Sequence, residues 1–176
     1  METNAENRAG SAPAGEPNST AALQQVAINQ VAINKVEVLH NRLVPGSDGS
    51  IEHVVIANDA VTIIRSIPIK GRVRITKSDV VIGGVSCDVV VTGLEARINT
   101  VRHLIGGDLR VQGALFLTKQ RKAPVKRYNS IMVGSPKSVV QELIDGHCSA
   151  PQHPRMVALT RELDAMFLPF EKLTAA

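Results

Sequence analysis

The middle of the chain is dominated by short apolar runs of strand length. Two β-branched runs, Ile51–Ala57 and Ala60–Ile67, flank Asn58-Asp59, a pair with the polarity and left-handed tolerance of a tight turn. They predict a hairpin near the middle of a sheet. Val36–Leu43 reads as the strand before it, reached through an exposed loop over Val44–Ser50. After the hairpin, Gly71–Lys77 alternates basic and apolar side chains, so Lys70, Arg72 and Arg74 are expected along one solvent-facing side. Ser78-Asp79 then turns the chain into Val80–Ile82, and after Gly83-Gly84 the run Val85–Val91 reads as a further short strand.

Helical periodicity enters next. Leu94, Ile98, Val101 and Ile105 recur at helical spacing, predicting an amphipathic helix over 94–105 that turns Glu95, Arg97 and Arg102 outward and ends at Gly106-Gly107. Gly113–Thr118 is almost continuously apolar, as a strand covered on both faces must be. Ser130–Gly134 reads as another strand, and Ser135-Pro136 opens a helix through about Asp145. A last helix, about Pro154–Leu168, offers Met156, Leu159, Leu163, Met166 and Phe167 to the core. Near the start, Ser19 or Thr20 is placed to cap a helix over 21–35, yet the repeat Gln25–Asn29, Gln30–Asn34 also alternates like a strand.

Composition narrows the picture. Residues 1–19 are rich in Asn, Ala, Gly, Pro and Ser and cannot bury enough apolar surface to offset ordering, so a disordered leader is expected there. The 176 residues leave room for one domain with a proper core. Three Phe, one Tyr and no Trp make that core aliphatic and leave no set of aromatic platforms for stacking single-stranded bases. A formal charge of +4 permits contact with phosphates without demanding it. Two cysteines, Cys87 and Cys148, with neither a signal peptide nor an apolar run of membrane length, predict a cytoplasmic protein with reduced thiols and no membrane partner.

The stretch Ile51-Glu52-His53 to Lys70-Gly71-Arg72-Val73 resembles the NERD (nuclease-related domain) family, relatives of restriction-type endonucleases. Its members carry an Ile-Asp-His strand, a short turn, a strand ending in Asp-x-Lys or Glu-x-Lys, and a Lys-Gly-x-Val segment. Val38–Gly46 resembles the family's opening strand and loop. The later succession of helix, buried strand, basic loop, short strand and Ser-Pro helix resembles its second half. The resemblance spans roughly residues 20–168. It implies an α/β fold with a mixed central β-sheet flanked by helices, a restriction-endonuclease-like core, and a helix over 21–35. A single domain over 20–170 and a flexible tail over 171–176 follow.

In that family the two strand acids hold a divalent cation and the lysine orients the attacking water. Here Glu52 is the only acid with a counterpart; Arg65 stands at the second acid position and Ile67 at the lysine position, and Ala21–Gln25 offers no acid. A guanidinium carries a fixed positive charge and no lone pair for a cation. Arg65 is therefore expected either to pair with Glu52 or to meet a phosphate.

These residues lead to a catalytically inactive nuclease-related module that contacts nucleic acid or protein and needs no cofactor. One alternative is an Mg²⁺-dependent endonuclease using Glu52 with a second carboxylate; another is a scaffold that binds no nucleic acid. The candidate nucleic-acid-binding set is Lys70, Arg72 and Arg74, joined by Lys119, Arg121, Lys122, Lys126 and Arg127 from a basic loop over 119–127. A continuous basic face, with DNA as its partner, would unite the two segments. His40 and His53 are read as strand histidines with satisfied ring nitrogens. His147, Cys148 and His153 lack a second paired-cysteine motif and are not expected to bind zinc.

Overall fold

The β-branched runs form the central strands of a seven-stranded mixed sheet. The structure, a computed structural model, describes residues 37–45, 50–57, 60–106, 109–147 and 155–169. The expected leader over 1–19, the helix over 21–35, the Asn58-Asp59 turn and the tail over 171–176 lie outside the described residues, as do Cys148 and His153. Strands β1 (Glu37–Leu43), β2 (Ser50–Ala57) and β3 (Ala60–Ile67) form an antiparallel meander, with Ala57 paired to Ala60 across the predicted turn. β3 then pairs in parallel with β7 (Arg110–Leu117), and β7 in parallel with β9 (Ile131–Gly134). Seven of the eight β7 residues are buried, as its continuous apolar sequence requires.

The parallel crossover from β3 to β7 holds a second sheet, β4 (Val73–Ile75), β5 (Val80–Ile82) and β6 (Val85–Ser86), and then helix α1 (Asp88–Ile105). Here the expected strand over Val85–Val91 is corrected. It ends at Ser86, and the helix begins six residues before Leu94. Val91 extends the buried stripe of Leu94, Ile98, Val101 and Ile105 one turn toward the N-terminus, so tertiary burial overrides the strand preference of three consecutive valines.

The basic loop is shorter than expected, because Lys126–Tyr128 pairs with β9 as the edge strand β8. Helix α2 (Pro136–His147) follows, its Ser138 N–H donating to Ser135 Oγ at 3.4 Å as the Ser-Pro start predicts. Helix α3 covers Met156–Met166 only. Leu168–Pro169 leaves it to form β10, an edge pair on β1 where a proline costs no ladder bond on its outer side. Arg42 secures this closure, donating to Asp164 Oδ1 at 2.5 Å and to the Phe167 carbonyl at 3.3 Å.

Alternating side chains sort into two apolar clusters, one on each face of the sheet. Val54, Ile56, Val61, Ile63 and Ile67 pack with α1 and with Leu159, Leu163 and Phe167 of the C-terminal segment. Val55, Ala57, Ile64, Ala114 and Phe116 pack with Val139, Val140 and Leu143 of α2. The chain is thus an α/β structure whose mixed central sheet is flanked by helices. Among the described residues no helix is long and apolar enough to cross a membrane.

Candidate nucleic-acid interface

Glu52 and Arg65 meet at the end of the β2–β3 ladder. The last bridged pair is His53 with Ile64, and the next positions outward are Glu52 and Arg65. Both share the sheet face of Val54 and Ile63. Arg65 Nε lies 3.6 Å from Glu52 Oε1, while Glu52 Oε2 accepts the Ser66 N–H at 2.8 Å. The carboxylate is therefore engaged on both oxygens, and the guanidinium remains 44% exposed. Ile67, two residues on, is buried in the core. Among the described residues no group of three or more His, Cys, Asp or Glu side chains converges on a point where a metal would sit.

The basic strand assembles differently, around a close approach of two glycines. A Cβ on Gly71 would lie 2.4 Å from the Gly83 Cα, and both residues have positive φ, +137° and +59°. The missing side chains let Gly83 N–H donate to the Arg72 carbonyl at 3.1 Å. This pins the start of β4 to the β5–β6 turn. Arg72 and Arg74 then face solvent on either side of buried Val73.

Two side chains from the basic segment reach the same strand. Gln120 Nε2 donates to the Gly71 carbonyl, and Lys126 Nζ donates to the Val73 carbonyl at 2.7 Å. Arg72, Arg74 and Lys126 consequently line one open pocket of about 620 Å³, floored by Val73, Val81, Gly83 and Gly84. Lys126 and Val73, 53 positions apart in sequence, are brought to one place. The side chains of Arg72 and Arg74 make no hydrogen bond or ion pair to another described residue.

The rest of the expected set is divided. Lys70 and Lys119 are exposed and line neither this pocket nor the next. Arg121 and Lys122 open onto a second pocket of about 430 Å³, shared with Lys137, Glu142 and Asp145 of α2. Arg127 points to Glu142 and pairs with it at 2.6 Å. The expected single basic face is thus two basic pockets flanking β8. Lys126 joins the first, next to the α1-side core residue Val73, and its neighbour Val125 joins the second, on the α2 side. Lys137 is absent from the sequence-derived set because its one visible signal, a lysine in the first turn of a helix, is common on solvated surfaces.

His40 and His53 face each other across β1 and β2, their Nδ1 atoms 2.9 Å apart and their rings nearly perpendicular at 85°. A contact this short takes one proton, so one ring donates and the other accepts. Burial, and then the neighbouring Arg42, lower the pKa of His40; burial, and then His40, lower that of His53 to about 4. The Nδ1 of each ring is satisfied by the other histidine.

No protein-family model matches the chain, and no curated protein matches it. Among solved structures, one described as an EndoMS–dsDNA complex is similar, at 13% identity and a TM-score of 0.37, over 78% of this chain and 45% of that one. The chain accordingly spans less than half the length of that chain.

Proposed function

We propose that this protein is a nuclease-related module, similar to NERD domains, that binds the phosphate backbone of nucleic acid without cutting it. The observation carrying this reading is the pocket in which Arg72, Arg74 and Lys126 converge from distant segments, the two guanidinium groups free of a partner among the described residues. Exposed guanidinium groups without a protein partner are available to an anion, which each can hold through charge-assisted hydrogen bonds. The pocket is open to solvent, which suits a backbone running past it.

The absence of cutting follows from the chemistry of Glu52 and Arg65. A metal ion would have to displace the Ser66 N–H from one carboxylate oxygen and approach the guanidinium beside the other. The scarcity of Trp, Tyr and Phe favours the backbone over stacked bases as the contact.

Fluorescence anisotropy with a labelled duplex across a salt series tests both halves. Wild type should bind with a steep salt dependence, and R72A/R74A should weaken binding and reduce the slope of log K against log salt by roughly 2. The duplex should stay intact with Mg²⁺ or Mn²⁺ present. Cleavage lost in E52A would establish the endonuclease instead, and salt-independent or absent binding would favour a protein-binding scaffold.

A further inference from the structure

The contact between Arg65 and Glu52 is unequal. Glu52 is the less exposed partner, at 28%, and its Oε2 accepts the Ser66 N–H at 2.8 Å. Arg65 turns Nε toward the other oxygen, and at 3.6 Å the approach is an ion pair beyond hydrogen-bond length. The arginine side chain is 44% exposed and makes no hydrogen bond to another described residue. The N–H donors of its guanidinium are therefore uncommitted. An arginine serving only to neutralise Glu52 would set its two-pronged edge against both oxygens, which is the stronger arrangement.

The sheet register relates this side chain to the pocket of Arg72 and Arg74. Arg65 stands opposite Leu115, Leu115 opposite Val133, and Val133 opposite Lys126. Residues opposite one another share a face, so Arg65 and Lys126 end one row, three strand spacings or about 14 Å apart. Lys126 in turn lines the pocket with Arg72 and Arg74. The row lies near the carboxyl ends of the parallel strands β3, β7 and β9, where open α/β sheets gather their ligands. One strand of a duplex carries a phosphate for about every 3.4 Å of its axis, so this span is the reach of roughly four nucleotides. A backbone held at the pocket of Arg72 and Arg74 can thus present a later phosphate to Arg65.

We propose that Arg65 is a further phosphate-binding residue, holding a phosphodiester roughly four nucleotides from the one at Arg72 and Arg74. The inference rests on the backbone-binding reading above. It extends the contacted surface from the small sheet of β4, β5 and β6 to the β2–β3 ladder.

The test measures duplex affinity across a salt series for wild type, R65Q and the double variant E52Q/R65Q, with thermal melts to show that each is folded. R65Q should bind roughly tenfold more weakly and lower the slope of log K against log salt by about 1. The double variant has the net charge of the wild-type pair but no guanidinium, and it should stay weak. Its glutamine keeps an acceptor for the Ser66 N–H and removes a charge that repels phosphate, so E52Q is not a source of weakness. Wild-type affinity in the double variant would mean that net charge alone had acted, and overturns the contact. Wild-type affinity and slope in R65Q overturn it as well; weakened binding by R72A/R74A then shows that the backbone-binding reading survives. If wild type binds no duplex, that reading falls and the Arg65 contact falls with it.

Discussion

Glu52 and Arg65 stand on neighbouring strands and one sheet face, the guanidinium 3.6 Å from one carboxylate oxygen while the backbone of Ser66 holds the other. The pair is partly exposed, so its own contribution to stability is small, of the order of 1 kcal/mol or less. Its chemical effect is larger, because the arginine sets a fixed positive charge, with no lone pair for a cation, beside the Glu52 carboxylate.

Replacing that arginine by aspartate should create a cation site. In R65D two carboxylates face each other across adjacent strands, and Mn²⁺ or Ca²⁺ should raise the melting temperature by a few degrees. At tenfold excess over Kd this corresponds to roughly 1.4 kcal/mol. Thermal melts with and without metal check it: wild type should not respond, and an unresponsive R65D would mean that strand spacing, not charge, blocks the cation.

The His40–His53 contact makes stability depend on pH. His53 is buried at 4% exposure with its pKa lowered to about 4, against an ordinary value of 6.5. Between those values the unfolded chain binds the extra proton and the folded one does not. The histidine's contribution is thus intact above pH 6.5 and is lost as pH falls toward 4, by on the order of 3 kcal/mol for His53. Urea titrations between pH 7.5 and 4.5 should show this loss in wild type, and a flatter profile in H53F.

Gly71 couples backbone geometry to the basic pocket. G71A sets a Cβ against the Gly83 backbone at 2.4 Å in a positive-φ conformation, and should cost roughly 1–3 kcal/mol. It should also weaken duplex binding, since Arg72 moves with the segment. Binding at wild-type affinity in a destabilised G71A would separate the turn from the pocket.

Leu163 tests whether the last helix belongs to the core. It is fully buried in the cluster with Phe167 and Leu159, so L163A should destabilise by roughly 2–5 kcal/mol in chemical denaturation. A near-neutral effect would instead mean that α3 is peripheral.

The strands at the centre were legible because their residues leave few options. Ile51–Ala57 and Ala60–Ile67 are β-branched and bounded by a turn pair, and Gly113–Thr118 is apolar at every position but its ends. The stripe of Leu94, Ile98, Val101 and Ile105 was equally plain. What misled was Val89-Val90-Val91, where local preference favours strand and one buried valine decides for helix. Leu168 reads as the end of a helix in the sequence because a two-residue edge pair depends entirely on Arg42 and Leu43 lying alongside.

By itself the sequence determined the period-two and helical patterns, the aliphatic core and the chemistry available at each position, including the fixed positive charge at residue 65. These are local properties, set by side-chain shape and charge. Only the tertiary structure decided that Lys126 joins Arg72 and Arg74, that Arg127 is consumed by Glu142, and that Lys137 belongs with Arg121 and Lys122. Those groupings arise from the parallel pairing of β7 with β3 and β9 and from the meeting of two glycines, contacts between segments far apart in the chain whose partners no local pattern specifies.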